Sequence, residues 1–294
     1  MADWRSDKAI LVTGADGHIG RQLCRMLRHA GHQILAVDLR DDATENIRSC
    51  DLRSESQVGS LFADHKFSSV IHLAGLLRTA FQAGPLTGAD VNLTGSLRLI
   101  AHSVRAGVKR FVFASSMSVY GSLVCERALN ESDPASPDEV YGAAKRAIEV
   151  IGETISKMGA IEFISLRIAR VNEPGIRKTS SPWRSQIFHA ASHSAPVRLP
   201  FTPNALLSLV HVQDVARMLS ILLEAKVNHC IYNTPVEVWE TRRLKELIEN
   251  VRRIPVELDT AGSGGGPRCD GSRFEQEFGF HIVPLRDHLL SNRT

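Results

Sequence analysis

The chain has 294 residues, of which 43% are hydrophobic and 23% are charged, and its formal net charge is +3 at pH 7. This length supports a sizeable core, in one large domain or in two that share an interface, and the composition is that of a globular protein. Because the charge is mild and no run of Lys and Arg exceeds two residues, we expect no nucleic acid partner.

The sequence gives no indication of a membrane span or a metal site. No apolar run approaches the ~18 residues that cross a bilayer, and the polar start leads into a predicted strand without a secretory apolar segment. The histidines show no metal-ligand spacing, and the cysteines, which are scattered and odd in number, indicate reduced thiols. We therefore expect a cytoplasmic protein with no membrane partner and no metal. The cysteines are Cys24, Cys50, Cys125, Cys230 and Cys269.

The first predicted strand is a short apolar run that ends at a turn containing Gly14, Gly17, His18, Ile19 and Gly20. The first glycine permits a tight turn, the second lets a pyrophosphate approach the backbone, and the third allows close packing of helix and strand. The helix that follows would direct its N-terminal N–H groups at the phosphates. Three glycines can form only a turn, but between a strand and a helix this spacing predicts a dinucleotide site.

The second predicted strand ends in Asp38. A carboxylate there can accept both ribose hydroxyls of an adenosine and would repel a 2′-phosphate, which favours NAD over NADP as the cofactor. Arg40 weakens this preference, because a nearby arginine is the usual partner of that phosphate. The alternative is that Asp38 only caps the end of its strand.

Strand and helix patterns continue to alternate after this point, which predicts an α/β fold with a parallel sheet. The third strand ends at Asp51 and Leu52, where we expect the adenine. The fourth strand ends with Leu73, Ala74 and Gly75, whose small residues would face the cofactor.

The next helix and strand lead to a candidate catalytic residue. The helix predicted over 85–105 contains Asn92, which could bridge backbone groups near the cofactor or serve as an ordinary packing residue. The fifth strand, 111–114, delivers Ser115 and Ser116 to the carboxyl edge of the sheet. Open α/β sheets bind their ligands at that edge.

Tyr141 and Lys145 lie four residues apart in the following helix, so they share one face. A neighbouring ammonium favours the phenolate, and we expect it to lower the pKa of Tyr141 from the free value of ~10 toward working pH. Ser116 would hold a substrate hydroxyl while Tyr141 removes its proton. Such a pair alone is more often a solvated helix face, but here it accompanies the glycine turn and the serine at a strand end.

These motifs form a recognisable set, which consists of 13–20 (Thr-Gly-x-x-Gly-x-x-Gly), Asp38, 72–75 (His-Leu-Ala-Gly), 91–95 (Val-Asn-Leu-Thr-Gly), 115–121 (Ser-Ser-Met-Ser-Val-Tyr-Gly) and Tyr141-x-x-x-Lys145. Over about residues 8–225 the chain resembles the extended short-chain dehydrogenase/reductase family, and within it the NAD-dependent epimerase/dehydratase group. The resemblance implies that Ser116, Tyr141 and Lys145 form a catalytic triad and that Lys145 also holds the nicotinamide ribose. It also implies a homodimer paired through the helices at about 86–106 and 139–158.

The predicted architecture is a doubly wound parallel sheet of the Rossmann type with a smaller C-terminal substrate-binding region. The NAD-binding domain is predicted over 1–166 together with a return segment near 206–233. The substrate-binding region is predicted over 167–205 and 234–294.

Several positions depart from the family that the chain resembles. Met117 and Ser118 follow the catalytic serine where dehydratases of that family carry Asp-Glu, which disfavours dehydration. Leu207 and the glycine-rich stretch 262–266, predicted as a flexible loop, occupy places where nucleotide-sugar epimerases carry arginines for a diphosphate.

These departures favour a smaller substrate, such as a sugar acid whose carboxylate meets an arginine, although most such arginines are surface charge. The cations that could take this role are Arg170, Arg177, Lys178, Arg184, Arg198 and Arg268.

The sequence thus predicts an NAD-dependent oxidoreductase or epimerase that moves a hydride between NAD and a carbinol of a small sugar-type substrate, either a sugar acid or a sugar nucleotide. If the ketone leaves, the enzyme is a dehydrogenase. If the ketone takes the hydride back, the enzyme is an epimerase, for example a nucleotide-sugar 4-epimerase. An alternative of another class is a non-catalytic NAD-binding scaffold.

Overall fold

The computed structural model describes residues 8–122, 126–175, 181–189 and 195–291. The strands of this part are β1 (Ala9–Thr13), β2 (Ile34–Asp38), β3 (Ile47–Ser49), β4 (Phe67–His72), β5 (Arg110–Ser116), β6 (Glu162–Ile168), β7 (Arg170–Asn172), β8 (Val197–Phe201), β9 (Leu206–His211), β10 (Ile231–Asn233), β11 (Glu237–Glu240) and β12 (Val256–Ser263).

The helices are α1 (His18–His29), α2 (Glu55–Asp64), α3 (Arg78–Ala83), α4 (Pro85–Ala89), α5 (Ser96–Arg105), α6 (Val140–Lys157), α7 (Trp183–Gln186), α8 (Val212–Glu224), α9 (Thr241–Arg252), α10 (Ser272–Phe278) and α11 (Leu285–Ser291). A π-helical segment, Asp90–Gly95, joins α4 to α5, and a 3₁₀ turn, Met117–Tyr120, follows β5. None of the helices in the described ranges has the length and apolar character of a bilayer-spanning segment.

Seven strands form the main sheet in the order β10-β6-β5-β4-β1-β2-β3. The pairs β1–β2, β1–β4, β2–β3 and β4–β5 are parallel. From β1 the chain builds outward through β2 and β3, then crosses to β4 and builds outward on the other side. This reversal between β1 and β4 defines a doubly wound sheet and a switch point of the kind where ligands bind. The predicted fold class is confirmed.

The core around this sheet determines where α6 lies. β4 is buried at all six positions, as expected for a parallel strand with both faces covered. Phe111 on β5 stacks on Phe163 on β6, with ring centroids 5.3 Å apart. A Cβ at Gly152 on α6 would lie 2.3 Å from the Phe163 ring. The missing side chain therefore lets α6 pack directly against β6.

The remaining strands form two smaller sheets. β9 lies between β11, to which it is antiparallel, and β7, to which it is parallel. β8 and β12 form a parallel pair. The apolar core of this part includes Trp183, Phe201, Leu207, Leu244 and Ile248.

The chain separates into two compact units whose boundaries differ from the predicted domains. The segment 206–215 belongs to the second unit, because β9 pairs with β7 and β11 and not with the main sheet. The segment 122–133 also belongs to the second unit. The first unit comprises 1–121, 134–167 and 216–232, and the second comprises 122–133, 168–215 and 233–294.

The glycine-rich stretch 262–266, expected to be a flexible loop, is partly a strand. Gly262 lies in β12, and Gly265 has a φ of +90° that favours glycine. A Cβ at Gly265 would lie 2.3 Å from the Leu206 carbonyl oxygen, so this glycine packs against the start of β9. Close backbone packing, and not flexibility, explains the glycine at 265.

Candidate active site

The glycine turn after β1 is packed against the end of β4. Gly14 has a φ of +72°, and a Cβ there would lie 2.5 Å from the Ala74 backbone nitrogen. A Cβ at Gly20 would lie 2.1 Å from the Gly14 carbonyl oxygen. Gly17 precedes α1, which starts without a side-chain cap and without an acidic residue in its first turn. This leaves an uncapped, positively polarised helix terminus beside a turn in which three positions, Gly14, Gly17 and Gly20, carry no side chain, which fits a pyrophosphate.

Asp38 is held at the end of β2 beside that turn. One carboxylate oxygen accepts a hydrogen bond from the Asp16 backbone N–H at 2.9 Å, and the other accepts from Leu39 N–H at 2.7 Å. Each oxygen keeps a further lone pair for a ribose hydroxyl. The capping role is therefore present, and it orients the same carboxylate that was predicted to bind ribose.

Asp51 and Leu52 lie just beyond β3, which ends at Ser49 and not at Asp51 and Leu52 as predicted. The Asp51 carboxylate pairs with Arg53, with Nη2 and Oδ2 2.6 Å apart, and hydrogen bonds from Arg53 lower the pKa of Asp51. Leu52 is buried, and its carbonyl accepts a hydrogen bond from Arg98 Nη1 at 2.6 Å. An apolar side chain and a fixed backbone at this strand end suit an adenine ring, which stays a prediction.

Asn92 lies in the π-helical segment and bridges backbone groups. Its Oδ1 accepts from Leu76 N–H at 2.7 Å, and its Nδ2 donates to the Leu76 carbonyl at 2.9 Å. This clamp fixes the residues after β4, including Leu73, Ala74 and Gly75. The amide of Asn92 therefore shapes the predicted cofactor edge through the backbone.

His72 is a buried residue of this region that sequence reasoning treated only as part of a motif. Its Nδ1 lies 2.7 Å from Thr13 Oγ1 on β1, and its Nε2 lies 2.8 Å from Ser96 Oγ on α5. Burial, assisted by the charge of Lys145, lowers the pKa of His72 to about 3. A neutral imidazole thus links β1, β4 and α5. The sequence signal that could have identified this role is a histidine at the end of a largely apolar predicted strand.

Ser116, Tyr141 and Lys145 come together at the carboxyl end of β5. Ser116 ends the strand, where its Oγ accepts a hydrogen bond from Ser118 N–H at 3.2 Å, and its hydroxyl acts to lower the pKa of Tyr141 in the first turn of α6. Lys145, one turn further, donates from Nζ to the Ala114 carbonyl at 2.7 Å. The Nζ atom lies 4.6 Å from the Phe113 ring centroid and 5.8 Å from the Tyr141 ring centroid. The three residues therefore lie together at the end of β5, and their catalytic roles stay a prediction.

The electrostatics of this site differ from the expectation for Tyr141. Burial raises the pKa of Tyr141 to about 12, and the hydrogen bond with Ser116 only partly opposes this effect. Burial lowers the pKa of Lys145 to about 8, opposed by the charge of Glu149. The expected lowering of the Tyr141 pKa is thus absent, because loss of solvation outweighs the interaction with Ser116 and the charge of Glu139 adds to the rise. At neutral pH the phenol is protonated.

Gly142 sets the approach of α6 to the strand end. A Cβ at 142 would lie 2.3 Å from the Ser118 carbonyl oxygen, and a Cβ at Gly121 would lie 2.5 Å from the Ser136 carbonyl oxygen. Residue 121 also has a φ of +67°. Two glycines therefore allow the turn after Ser116 to contact both the loop before α6 and α6 itself.

The positions that depart from the family occupy contrasting environments. Met117 and Ser118 form the 3₁₀ turn and bring no carboxylate to it. Leu207 is fully buried in the core of the second unit. Arg198 is 82% exposed and pairs with Glu257, so it is surface charge. Arg268 contributes its carbonyl, which accepts from Leu129 N–H. Arg177 and Lys178 lie outside the described residues.

Arg170 and Arg184 are the two half-buried cations of this group. Arg170 donates to the Gly265 carbonyl at 3.1 Å and lies 5.1 Å from the Phe201 ring centroid. Arg184 donates to the Val171 carbonyl at 3.4 Å. Burial and the charge of Arg184 lower the pKa of Arg170 to about 10. Among the described residues, no carboxylate forms an ion pair with Arg170.

Comparison with known proteins identifies the family. The family model described as "NAD dependent epimerase/dehydratase family" matches residues 10–234. The chain belongs to this family. The predicted family resemblance and the NAD cofactor are thereby confirmed. In the part of the chain that the structure describes, no cluster of three or more His, Cys, Asp or Glu side chains could hold a metal ion.

Two curated relatives are UDP-glucose 4-epimerases. The one from Neisseria meningitidis serogroup C is 33% identical over 165 residues, which are 51% of this chain and 49% of the relative. The one from Bacillus subtilis (strain 168) is 34% identical over 159 residues, which are 49% of this chain and 46% of the relative. The chain therefore spans about half the length of these relatives.

Solved structures match over nearly the whole chain. MoeE5 in complex with UDP-glucose and NAD has a TM-score of 0.82 and 26% identity, with 97% of both chains covered. L-threonine dehydrogenase from Phytophthora infestans has a TM-score of 0.88 and 19% identity, with 97% of this chain and 98% of that chain covered. The second match shows the fold alone.

Proposed function

We propose that this protein transfers a hydride between NAD and a carbinol carbon of a small sugar-type substrate. The observation that carries the proposal is the convergence of Ser116, Tyr141 and Lys145 at the end of β5, on the same edge of the main sheet as the glycine turn, with β4 between them. Membership of an NAD-dependent family supports it.

The residues present fit the cofactor. The bare N-terminus of α1 and the turn from Gly14 to Gly20 would hold the pyrophosphate, and Asp38 would hold the adenosine ribose. Asp51 and Leu52 would contact the adenine, and Lys145 would hold the second ribose. When bound, NAD supplies the acceptor and donor of the hydride.

The protein's own side chains handle the proton. Ser116 orients the substrate hydroxyl or carbonyl oxygen by a hydrogen bond. In the direction of carbonyl reduction, Tyr141 donates its phenolic proton, which its raised pKa of about 12 keeps in place at neutral pH. In the direction of oxidation, Tyr141 must first release its own proton to solvent; the phenolate, stabilised by the Lys145 ammonium, then accepts the proton of the substrate hydroxyl.

The preferred substrate is a sugar acid. Arg170 forms no ion pair with a carboxylate among the described residues, so of the cations named above it is our candidate for pairing with a substrate carboxylate. The buried Leu207 offers no charge for a diphosphate. A nucleotide-sugar 4-epimerase is the second candidate, and it is supported by the activity named for the curated relatives.

The protein's assembly and location are also part of this proposal. We propose a cytoplasmic homodimer paired through α6 and the helical stretch from α4 to α5. Val140 and Val150 on α6 are each 44% exposed and would be covered in such a pair. A monomer in sedimentation analysis would contradict this part of the proposal.

The test is incubation of the purified protein with NAD and a panel of sugar acids and nucleotide sugars. Net NADH formation with a sugar acid supports the dehydrogenase, and product without NADH supports the epimerase. NAD binding without turnover of any carbinol would support the scaffold and overturn the proposal. Arg170→Gln should raise the KM for a sugar acid at least ~30-fold, whereas Arg198→Gln, which removes a surface charge, should leave it unchanged.

A further inference from the structure

Glu149 is a buried carboxylate with four hydrogen-bond donors around it. Its side chain is 0% exposed, and that of Arg167 is 2% exposed. Oε1 accepts from Ser115 Oγ at 2.6 Å and from Arg167 Nε at 2.9 Å. Oε2 accepts from Arg167 Nη2 at 2.8 Å and from Arg146 Nη1 at 3.1 Å. Both oxygens are therefore saturated, and the Arg167 contact is bidentate.

These bonds hold the chain on both sides of Ser116. Ser115, the preceding residue, binds Glu149 directly. Tyr120, at the end of the turn that follows Ser116, accepts a hydrogen bond through its hydroxyl from Arg167 Nη1 at 2.8 Å. Glu149 belongs to α6, the helix that carries Tyr141 and Lys145. One carboxylate thus fixes the segment around Ser116 relative to the helix with the other two residues.

Glu149 also provides negative charge near Lys145. Lys145 lies one turn earlier on α6, where it is buried with its Nζ on the Ala114 carbonyl and near the Phe113 ring. The charged or titratable groups around it are Tyr141 and Glu149 on α6 and His72 on β4. Tyr141 and His72 are both neutral at pH 7. Glu149 is therefore the charge that opposes burial and favours the ammonium form of Lys145.

We propose that Glu149 is a positioning residue for the reaction: it fixes Ser116 relative to α6, and its charge keeps Lys145 an ammonium ion at working pH. The inference goes beyond the roles of the three converging residues and rests on the proposed function for its catalytic meaning. The alternative is a purely structural role, in which Glu149 neutralises the buried Arg167 and has no effect on Lys145.

Glu149→Gln keeps the shape of the side chain and removes its charge. We expect kcat to fall 10- to 100-fold and the alkaline limb of its pH profile, set by Lys145 near pH 8, to move roughly 1 pH unit lower. The direction follows because loss of a nearby negative charge makes the ammonium lose its proton at lower pH. Glu153→Gln is the matched control on the next turn, where the carboxylate pairs with Lys157, and should leave the profile unchanged.

A double variant separates the proposal from the structural alternative. Glu149→Gln leaves Arg167 buried without its carboxylate, whereas Glu149→Gln with Arg167→Met removes both charges and should recover most of the lost Tm. Because Met at 167 also removes a positive charge, the readout in the double variant is kcat, which should stay low while the Tm recovers, since the contacts of Glu149 around Ser116 remain lost. Recovery of the wild-type kcat together with the Tm would show that Glu149 acts only by neutralising Arg167 and would overturn the proposal.

A direct titration keeps the test independent of turnover. In protein labelled with ¹³C at lysine Cε, the Lys145 signal, assigned through its loss in Lys145→Met, should titrate at lower pH in Glu149→Gln than in wild type. An unchanged Lys145 titration would contradict the electrostatic role even in a protein that oxidises none of the substrates tried. A changed titration in such a protein would support the inference and leave only the proposed function refuted.

Discussion

Replacement of Gly20 by Ala tests whether the turn after β1 is packed as described. The added Cβ would lie 2.1 Å from the Gly14 carbonyl oxygen and 2.7 Å from Ala15 Cα, so the turn or α1 must move by about 1 Å to restore ordinary contact. Overpacking of this kind costs about 1–3 kcal/mol, offset by up to about 1 kcal/mol of helix propensity. We expect a net loss of roughly 1–2 kcal/mol.

Gly59→Ala provides a matched control in the interior of α2. Its Cβ would meet only His102 Cε1 at 3.5 Å, which is ordinary contact, so this variant should gain about 0.5–1 kcal/mol. Thermal unfolding should therefore move in opposite directions for the two variants. Calorimetric titration should show NAD affinity reduced at least ~10-fold in Gly20→Ala alone, because the N–H groups of α1 shift. Wild-type affinity and Tm in Gly20→Ala would refute the described packing.

Three further predictions concern Tyr141, Asp38 and two buried histidines, His72 on β4 and His211 at the end of β9. Tyr141→Phe should lower kcat more than ~100-fold with little change in NAD affinity, and retained turnover in a steady-state assay would remove Tyr141 as the proton carrier. Asp38→Ala should weaken NAD binding ~10-fold and reduce discrimination against NADP, as measured by the two Kd values. His72 and His211 have folded pKa values of about 3, below the unfolded value of 6.5. The unfolded chain therefore binds protons first as pH falls, and each histidine should cost about 2 kcal/mol of stability at pH 5. An unchanged urea midpoint between pH 7.5 and pH 5 would contradict this.

The local motifs could be predicted from sequence because their signals are local. The apolar run before Gly14 forms β1, and the run before Ser116 forms β5. The spacing of Tyr141 and Lys145 places both on one face of α6. In each case short-range periodicity and the glycine pattern are sufficient, since neither depends on distant contacts.

What could not be predicted depends on contacts between distant residues. The π-helical segment Asp90–Gly95 interrupts a pattern that reads as one helix, and it accompanies the clamp of Asn92 on Leu76. β9 pairs within the second unit, although its sequence reads as another strand of the main sheet. The pKa of Tyr141 rises because of burial, which residue spacing does not report.

The Glu149 network is a further case of this kind. Ser115, Glu149 and Arg167 come from β5, α6 and β6, and no spacing rule connects them. Only the fold shows that a single carboxylate joins these three elements.

The packing of Gly142 against the Ser118 carbonyl limits how the substrate specificity of this protein can be changed by mutation. Because residue 142 has no side chain, α6 can lie close to the turn that follows Ser116. Any substituent at 142 would push away this helix, which carries the proposed proton donor Tyr141. A library for new substrates should therefore keep residue 142 unchanged. Variants that acquire a side chain at 142 should be lost from such a selection whatever the substrate offered.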